Sequence, residues 1–162
     1  MPVDCGKENG LECIKLQHSS GASATVYVYA AHLASWKTSS GEEQLFVSSA
    51  AEYGGGKAIR GGVPICWPQF AARGPYPKHG FCRNSAEWKV IRTASEPYPC
   101  VVFGLTDSEA SRKVFPFGFN LRYSVTLDGP DSISTSLMVL NTSDTVGRCS
   151  NPLVFSTPCG GV

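Results

Sequence analysis

The 162-residue sequence lacks any apolar run that approaches the ~18 residues needed to cross a membrane. No apolar signal-peptide core is present in its first residues, MPVDCGKENGLEC, so we expect a cytoplasmic protein without membrane association. Only 17% of the residues are charged, whereas 17 are Gly and 11 are Pro. This composition favours a loop-rich β protein with a single core over a helical bundle.

Metal-binding and disulfide patterns are also absent. The cysteines are odd in number, widely spaced and without a C-x2-C pair; they are Cys5, Cys13, Cys66, Cys82, Cys100, Cys149 and Cys159. With no secretory signal, this pattern predicts buried or partly buried free thiols and no metal site.

The common motifs for nucleotides and hydrolysis are missing. The sequence contains no G-x-S-x-G, H-E-x-x-H or G-x-G-x-x-G pattern. The run at 54–57, GGGK, resembles a phosphate loop, but Ala51 replaces its first glycine and Ala58 replaces its Ser/Thr. Nucleic-acid binding would need more basic charge than the formal net charge of +1 supplies, so no nucleic-acid partner is expected.

Acidic residues are absent from residues 57–84, a Gly/Pro-rich segment. Its cationic side chains are Lys57, Arg60, Arg73, Lys78 and Arg83. Because the chain has 14 basic and 13 acidic residues, this segment carries +5 and the remainder −4. Such a concentration of positive charge predicts a site for a small anion. The alternative is a basic loop screened by solvent and by acids that fold nearby.

Extended segments dominate the rest of the sequence. Alternating β-branched and aromatic residues bounded by turn residues predict strands at 24–31, 45–48, 87–93, 100–105, 119–127 and 132–140. Residues 128–131, DGPD, predict a hairpin, and residues 107–113 predict a short helix capped by Asp107 or Ser108. Short strands at this spacing predict an all-β antiparallel sandwich or barrel.

Several motifs together carry a resemblance to a known family. The run AIRGGVPICWPQF, followed by KHGFCRNSAEWKV, closely resembles the glucose-6-phosphate 1-epimerase (hexose-6-phosphate mutarotase) branch of the aldose 1-epimerase family. The resemblance extends to AAHLASWK at 30–37, EQLFVSS at 43–49 and VFPFGFNLRYSVTL at 114–127, and covers roughly residues 11–145. It implies a galactose-mutarotase-like antiparallel β-sandwich that interconverts the α and β anomers of a hexose 6-phosphate without metal or organic cofactor.

The resemblance also implies roles for four residues. Arg60 in AIRGG and Arg83 in HGFCRN look like the cationic ligands that bind the phosphate, a task that suits the guanidinium fork. Lys78 stands where relatives often carry Gln as a substrate contact, so a polar contact is retained with altered charge. His79 would lie near the sugar.

The catalytic pair of the family has no counterpart in these 162 residues. The implied reaction uses a carboxylate that takes the C1 hydroxyl proton and an imidazolium that protonates the ring oxygen. The resemblance implies that the histidine lies in an HTYF-like strand and that the glutamate lies in a later EPG-like motif. This sequence has neither, and His32 matches a position read as structural, so no catalytic residue is assigned.

We therefore expect residues 1–162 to form one partial domain that resembles the N-terminal half of the family, is truncated on its C-terminal side and has a divergent tail at 146–162. Three hypotheses follow. The chain is a hexose-6-phosphate mutarotase by ancestry that lacks activity, a non-catalytic sugar-phosphate-binding module, or a nonfunctional truncated product. A monomer that binds a small-molecule hexose 6-phosphate is expected in the first two cases.

Overall fold

Two four-stranded antiparallel sheets make up the protein in the computed structural model, which describes residues 2–143. The first sheet contains, in spatial order, β1 (Val3–Glu8), β2 (Leu11–Gln17), β3 (Ser23–Tyr27) and β4 (His32–Lys37). The second contains β5 (Lys89–Ala94), β6 (Cys100–Thr106), β7 (Phe119–Gly129) and β8 (Ser132–Asn141). The helix α1 (Glu109–Arg112) lies between β6 and β7, and 3-10 turns occur at Tyr29–Ala31 and Cys82–Asn84. The all-β prediction is confirmed.

The main core lies between the two sheets. The predicted two-residue period of β7 is confirmed, because its alternate residues Leu121, Tyr123, Val125 and Leu127 are all buried. They belong to one apolar cluster with residues of the first sheet, namely Ile14, Leu16, Ala24, Val26, Leu33 and Trp36. Alternate side chains of a strand point to opposite faces, and this is why β2 also contributes to a second cluster on the other face of its sheet. That cluster contains Cys13, Tyr27, Tyr29, Ala30 and Ile59.

Four of the predicted strands, at 87–93, 100–105, 119–127 and 132–140, correspond to β5–β8. The predicted helix is also present, and Ser108 caps it with a capping box. The strand predicted at 24–31 ends at Tyr27, because Ala30 and Ala31 adopt φ of 62° and 47° and turn the chain. Residues 45–48 form only an isolated bridge, Val47 to Gly61, and so that predicted strand is wrong.

Three strands, β1, β2 and β4, escaped the sequence prediction. Their sequences, VDCGKE, LECIKLQ and HLASWK, contain few β-branched residues, so local propensity alone is weak. Antiparallel pairing in register from Val3–Leu16 to Glu8–Leu11, and burial of Ile14 and Leu16, stabilise β1 and β2 instead. The strand β4 pairs with β3 from Ser23–Lys37 to Tyr27–His32.

The described cysteines are free thiols; Cys13, Cys66, Cys82 and Cys100 are buried or partly buried as predicted, whereas Cys5 is exposed, and Cys149 and Cys159 lie outside the described residues. Across residues 2–143, no helix has the length and apolar character required to cross a membrane. The predicted tail at 146–162 lies outside the described residues.

Candidate functional site

Arg60 is presented by a tightly packed turn. Ile59, which precedes it, is buried in the second cluster, and Gly61 and Gly62, which follow it, have φ of 112° and 59°. Glycine is the residue that adopts these values at little cost. A Cβ on Gly61 would lie 2.2 Å from a backbone oxygen of the neighbouring segment, and a Cβ on Gly62 would lie 2.4 Å from that of Leu33. The turn therefore packs backbone against backbone and leaves the Arg60 side chain exposed.

Lys78, His79 and Arg83 lie together in the loop that leads into the turn at Cys82–Asn84. His79 and Gly80 both have left-handed backbone conformations, with φ of 66° and 68°. A Cβ on Gly80 would lie only 1.9 Å from the carbonyl oxygen of Trp67, so this loop packs directly on the Trp67 backbone. Arg83 Nη2 donates a hydrogen bond to the carbonyl oxygen of Lys78 at 3.3 Å, which holds the guanidinium beside the other two residues.

The imidazole of His79 has a defined tautomer. The backbone N–H of Ala71 donates to His79 Nδ1 at 3.2 Å, and the backbone N–H of His79 donates to the Ala71 carbonyl at 2.9 Å. Because Nδ1 accepts, the neutral ring carries its proton on Nε2. Burial, together with the charges of Arg83 and Lys78, lowers the pKa of His79. The lowered pKa favours the neutral ring, which offers Nε2–H as a donor.

The guanidinium of Arg83 has an unused donor. Its Nε is buried and has no hydrogen-bond partner within residues 2–143. Cys66 lies beside it: burial raises the pKa of that thiol, and the Arg83 charge partly opposes the rise. A buried donor without an acceptor costs about 1–3 kcal/mol.

Within residues 2–143, no acidic side chain pairs with Arg60, Lys78 or Arg83. In the described part of the chain the ion pairs join Lys15 to Glu8, Lys57 to Glu52 and Arg112 to Asp107. Lys57, counted above among the cations of the basic segment, is thus paired at 2.5 Å. Arg60, Lys78 and Arg83 have no carboxylate within ion-pair distance in residues 2–143. Within residues 2–143, a nearby acid therefore screens the charge of Lys57 but not the charges of Arg60, Lys78 and Arg83.

Two residues that the sequence analysis did not single out join the Arg60 segment to the Arg83 turn. The Tyr29 hydroxyl lies 2.8 Å from the Lys57 carbonyl oxygen and 3.1 Å from that of Asn84. The side-chain amide of Asn84 also donates to the Gly56 carbonyl at 3.0 Å. The HGFCRN motif contains Asn84 and could have drawn attention to it, whereas Tyr29 reaches the site only through tertiary contacts.

His32 supports the same turn from beneath. It is 1% exposed, and neither ring nitrogen has a hydrogen bond of normal geometry. A Cβ on Gly62 would lie 2.6 Å from its Nε2, so the ring packs directly against the glycine. Burial lowers the pKa of His32 to about 4, and the Gly61 backbone opposes this only weakly. The geometry agrees with the structural role expected of this residue.

Two packed antiparallel sheets, with glycine-rich loops that carry these cations, define a galactose-mutarotase-like β-sandwich. The YeaD protein of Salmonella typhimurium, provisionally named a mutarotase, has a solved structure that matches with a TM-score of 0.73 and 31% identity. The match covers 85% of this chain and 46% of that protein. A galactose mutarotase related enzyme from Lactobacillus acidophilus matches with a TM-score of 0.61 over 88% of this chain and 44% of its own; at 21% identity this likeness shows the fold alone.

Residues 12–151 match the family model described as aldose 1-epimerase, and the chain therefore belongs to that family. The resemblance identified from the motifs is confirmed. A protein of Cenchrus ciliaris is 36% identical over 148 residues, which cover 86% of this chain and 44% of the relative. A protein of Escherichia coli K12 is 38% identical over 117 residues, which cover 71% of this chain and 40% of that relative. Both carry the provisional name glucose-6-phosphate 1-epimerase, and the chain spans less than half of their length.

Proposed function

We propose that this chain binds a hexose 6-phosphate at the cluster of Arg60, Lys78, His79 and Arg83. The observation that carries the proposal is the buried Nε of Arg83, a donor without a partner in residues 2–143, in a cluster where three cations have no carboxylate partner. A phosphate dianion supplies both the missing acceptor and the missing negative charge. The names of the relatives from Cenchrus ciliaris and Escherichia coli support glucose 6-phosphate as the representative ligand.

The four side chains divide the recognition between phosphate and sugar. Arg83 binds phosphate oxygens through Nε and the guanidinium N–H groups that remain after Nη2 donates to the Lys78 carbonyl. Arg60, exposed on its rigid glycine turn, supplies a second guanidinium. His79 donates from Nε2 to a sugar oxygen, since its Nδ1 is occupied by the Ala71 N–H. Lys78, whose side chain is exposed, contributes charge and one further donor.

The activity that we propose for members of this family is interconversion of the α and β anomers of a hexose 6-phosphate. That reaction needs a base at the C1 hydroxyl and an acid at the ring oxygen, which exchange roles after the ring opens and its C1–C2 bond rotates. His79 is held neutral and serves as a hydrogen-bond donor, and no carboxylate hydrogen-bonds to the cluster within residues 2–143. We therefore expect these 162 residues to bind the sugar phosphate without accelerating anomeric exchange.

One pair of measurements separates the mutarotase from the binding module. Two-dimensional exchange NMR on glucose 6-phosphate reports the anomeric rate, and a titration of the 15N-labelled chain reports binding. Binding with exchange no faster than in buffer is the expected result. Exchange faster than in buffer would show that the chain supplies its own acid and base. Absence of saturable binding by glucose 6-phosphate would refute the proposal altogether and would favour a nonfunctional product.

A matched pair of variants ties the binding to the cluster. Arg60→Ala should weaken glucose 6-phosphate binding, because it removes an unpaired guanidinium from the proposed site. Arg92→Ala removes an exposed arginine of β5 and should leave the binding unchanged. Unphosphorylated glucose should bind far more weakly than glucose 6-phosphate to the unmodified chain. An equal loss of affinity for glucose 6-phosphate in Arg60→Ala and Arg92→Ala would indicate general electrostatic attraction instead of a specific site.

A further inference from the structure

An open groove lies on the outward face of the β5–β8 sheet. In β7, Leu121 and Tyr123 point into the core, so Asn120 and Arg122 point to the opposite, outward face. The groove has a volume of about 400 Å³ and lies over β5, β6 and β7. None of the residues of the proposed sugar-phosphate cluster lines this groove.

The strand register places two cations on either side of a glycine. Gly104 in β6 is opposite Lys89 of β5 on one side and opposite Arg122 of β7 on the other. Two strand spacings separate the backbones of Lys89 and Arg122 by about 9.5 Å. Because Gly104 has no side chain, Ile91 packs over it and occupies the position between the two cations, with its δ-methyl 2.3 Å from the position of a Gly104 Cβ. The groove thus has cationic sides and an apolar patch on its floor.

Polar side chains continue the groove beside this row. Thr106 and Asn120 are register partners, one step further along β6 and β7 on the same face. Ser108 follows at the cap of α1, and it also lines the groove. The hydroxyl and the amide of these register partners provide both donors and acceptors.

The acids of the groove are already engaged, whereas its cations are not. Asp107 accepts from Arg112 Nε at 2.6 Å and from the Phe119 N–H at 3.1 Å, and the hydrogen bond and charge of Arg112 keep the pKa of this carboxyl low. Glu87 accepts from the Ser108 hydroxyl at 3.0 Å. Within residues 2–143, neither Lys89 nor Arg122 has a carboxylate at ion-pair distance.

We propose that this groove is a second binding site, for a small polyhydroxylated anion such as a sugar phosphate or a sugar acid. The volume lies within the range of about 300–1,000 Å³ that holds small molecules. Lys89 and Arg122, which flank the Ile91 side chain packed over Gly104, bind the anionic group, and Thr106 and Asn120 bind hydroxyl groups. The apolar contact at Ile91 receives the C–H face of the ligand. The site stands independently of the function proposed above, because it shares no residue with it.

The test follows the backbone amides of Gly104, Thr106 and Asn120 in the 15N-labelled chain. Glucose 6-phosphate and gluconate are titrated separately, and glucose and sodium chloride at matched ionic strength serve as controls. Saturable shifts at these amides with either anion, and none with the controls, are expected. A response to glucose 6-phosphate alone identifies a phosphate site, and a response to gluconate alone identifies a carboxylate site. Shifts with neither anion, or equal shifts with sodium chloride, overturn the proposal.

Variants assign the shifts to the groove. The double variant Lys89→Gln/Arg122→Gln removes both charges but keeps polar side chains, and it should raise the dissociation constant at these amides at least tenfold. Lys113→Ala, which removes an exposed cation that does not line the groove, should not change it. Arg83→Ala should weaken the first site and leave these shifts intact, which separates the two proposals. An unchanged dissociation constant in the double variant, with its folded spectrum retained, would refute the second site.

Discussion

Replacing Arg83 tests the candidate site most directly. Arg83→Ala removes a guanidinium whose Nε is buried without a partner in residues 2–143 and whose Nη2 makes one hydrogen bond to an exposed carbonyl. Little of the fold depends on this side chain, since that one bond is 3.3 Å long. We therefore expect no large loss of stability, and an increase in the free energy of unfolding of up to about 1–3 kcal/mol, because the substitution removes a buried donor without an acceptor.

Binding should weaken, although stability should not. A hydrogen bond to a charged group contributes about 1.5–3 kcal/mol, and each 1.4 kcal/mol is a factor of ten in affinity. The dissociation constant for glucose 6-phosphate should therefore rise by about 10- to 150-fold in Arg83→Ala. Arg83→Lys retains the charge but loses the planar fork and the Nε donor, so its constant should lie between those of the unmodified chain and the alanine variant.

The assay is isothermal titration calorimetry with glucose 6-phosphate at fixed ionic strength, accompanied by NMR titration of the His79 ring. Because the Arg83 charge helps to lower the pKa of His79, its removal should raise that pKa. Burial, the larger cause, remains, so the pKa should stay below its ordinary value. An increase confirms that the two side chains interact in solution as they do in the structure.

Two results would refute this reasoning. An Arg83→Ala affinity within twofold of the unmodified chain would show that the buried Nε does not meet the ligand. Equal affinities of the alanine and lysine variants would show that charge at this position contributes nothing. The stability measurement excludes unfolding as the cause, because a folded variant with the expected loss has lost the contact itself.

Three further predictions concern the backbone and packing that support the site. Gly80→Ala should lower the free energy of unfolding by more than the control Gly10→Ala in urea titrations, because both have positive φ but only Gly80 faces a carbonyl oxygen 1.9 Å from the added Cβ. In the unmodified chain, stability should decrease as the pH falls from 6.5 to about 4, because His32 binds a proton in the unfolded chain before it does in the folded one. The full effect is about 3 kcal/mol, and pH-dependent denaturation of His32→Leu should lack it. Tyr29→Phe removes a hydroxyl that contacts the backbone carbonyls of Lys57 and Asn84, and it should lower the thermal midpoint by an amount equivalent to about 1 kcal/mol. An unchanged thermal midpoint and an unchanged ligand affinity would show that this hydroxyl does not join the Arg60 segment to the Arg83 turn.

The sequence predicted structure best where the signal was local. The alternation of β7 identifies a half-buried strand without knowledge of its partner, and the predicted face is the buried one. The prediction failed where pairing decides the outcome. Residues 45–48 have strand-like composition, yet only Val47 forms a bridge, because the facing segment at 60–62 contains two glycines with positive φ. In contrast, β2 has little propensity and is stabilised by pairing on both sides.

By itself, the sequence determined the β class, the concentration of cations in residues 57–84 and the family motifs, because each of these is a property of adjacent residues. Tertiary structure decided which cations remain available. Lys57 meets Glu52, whereas Arg60, Lys78 and Arg83 meet no carboxylate in residues 2–143. It also decided that the Arg83 donor is buried and that the His79 ring is held by the Ala71 backbone. Burial and hydrogen-bond geometry depend on segments that are distant in sequence, and local composition carries no information about them.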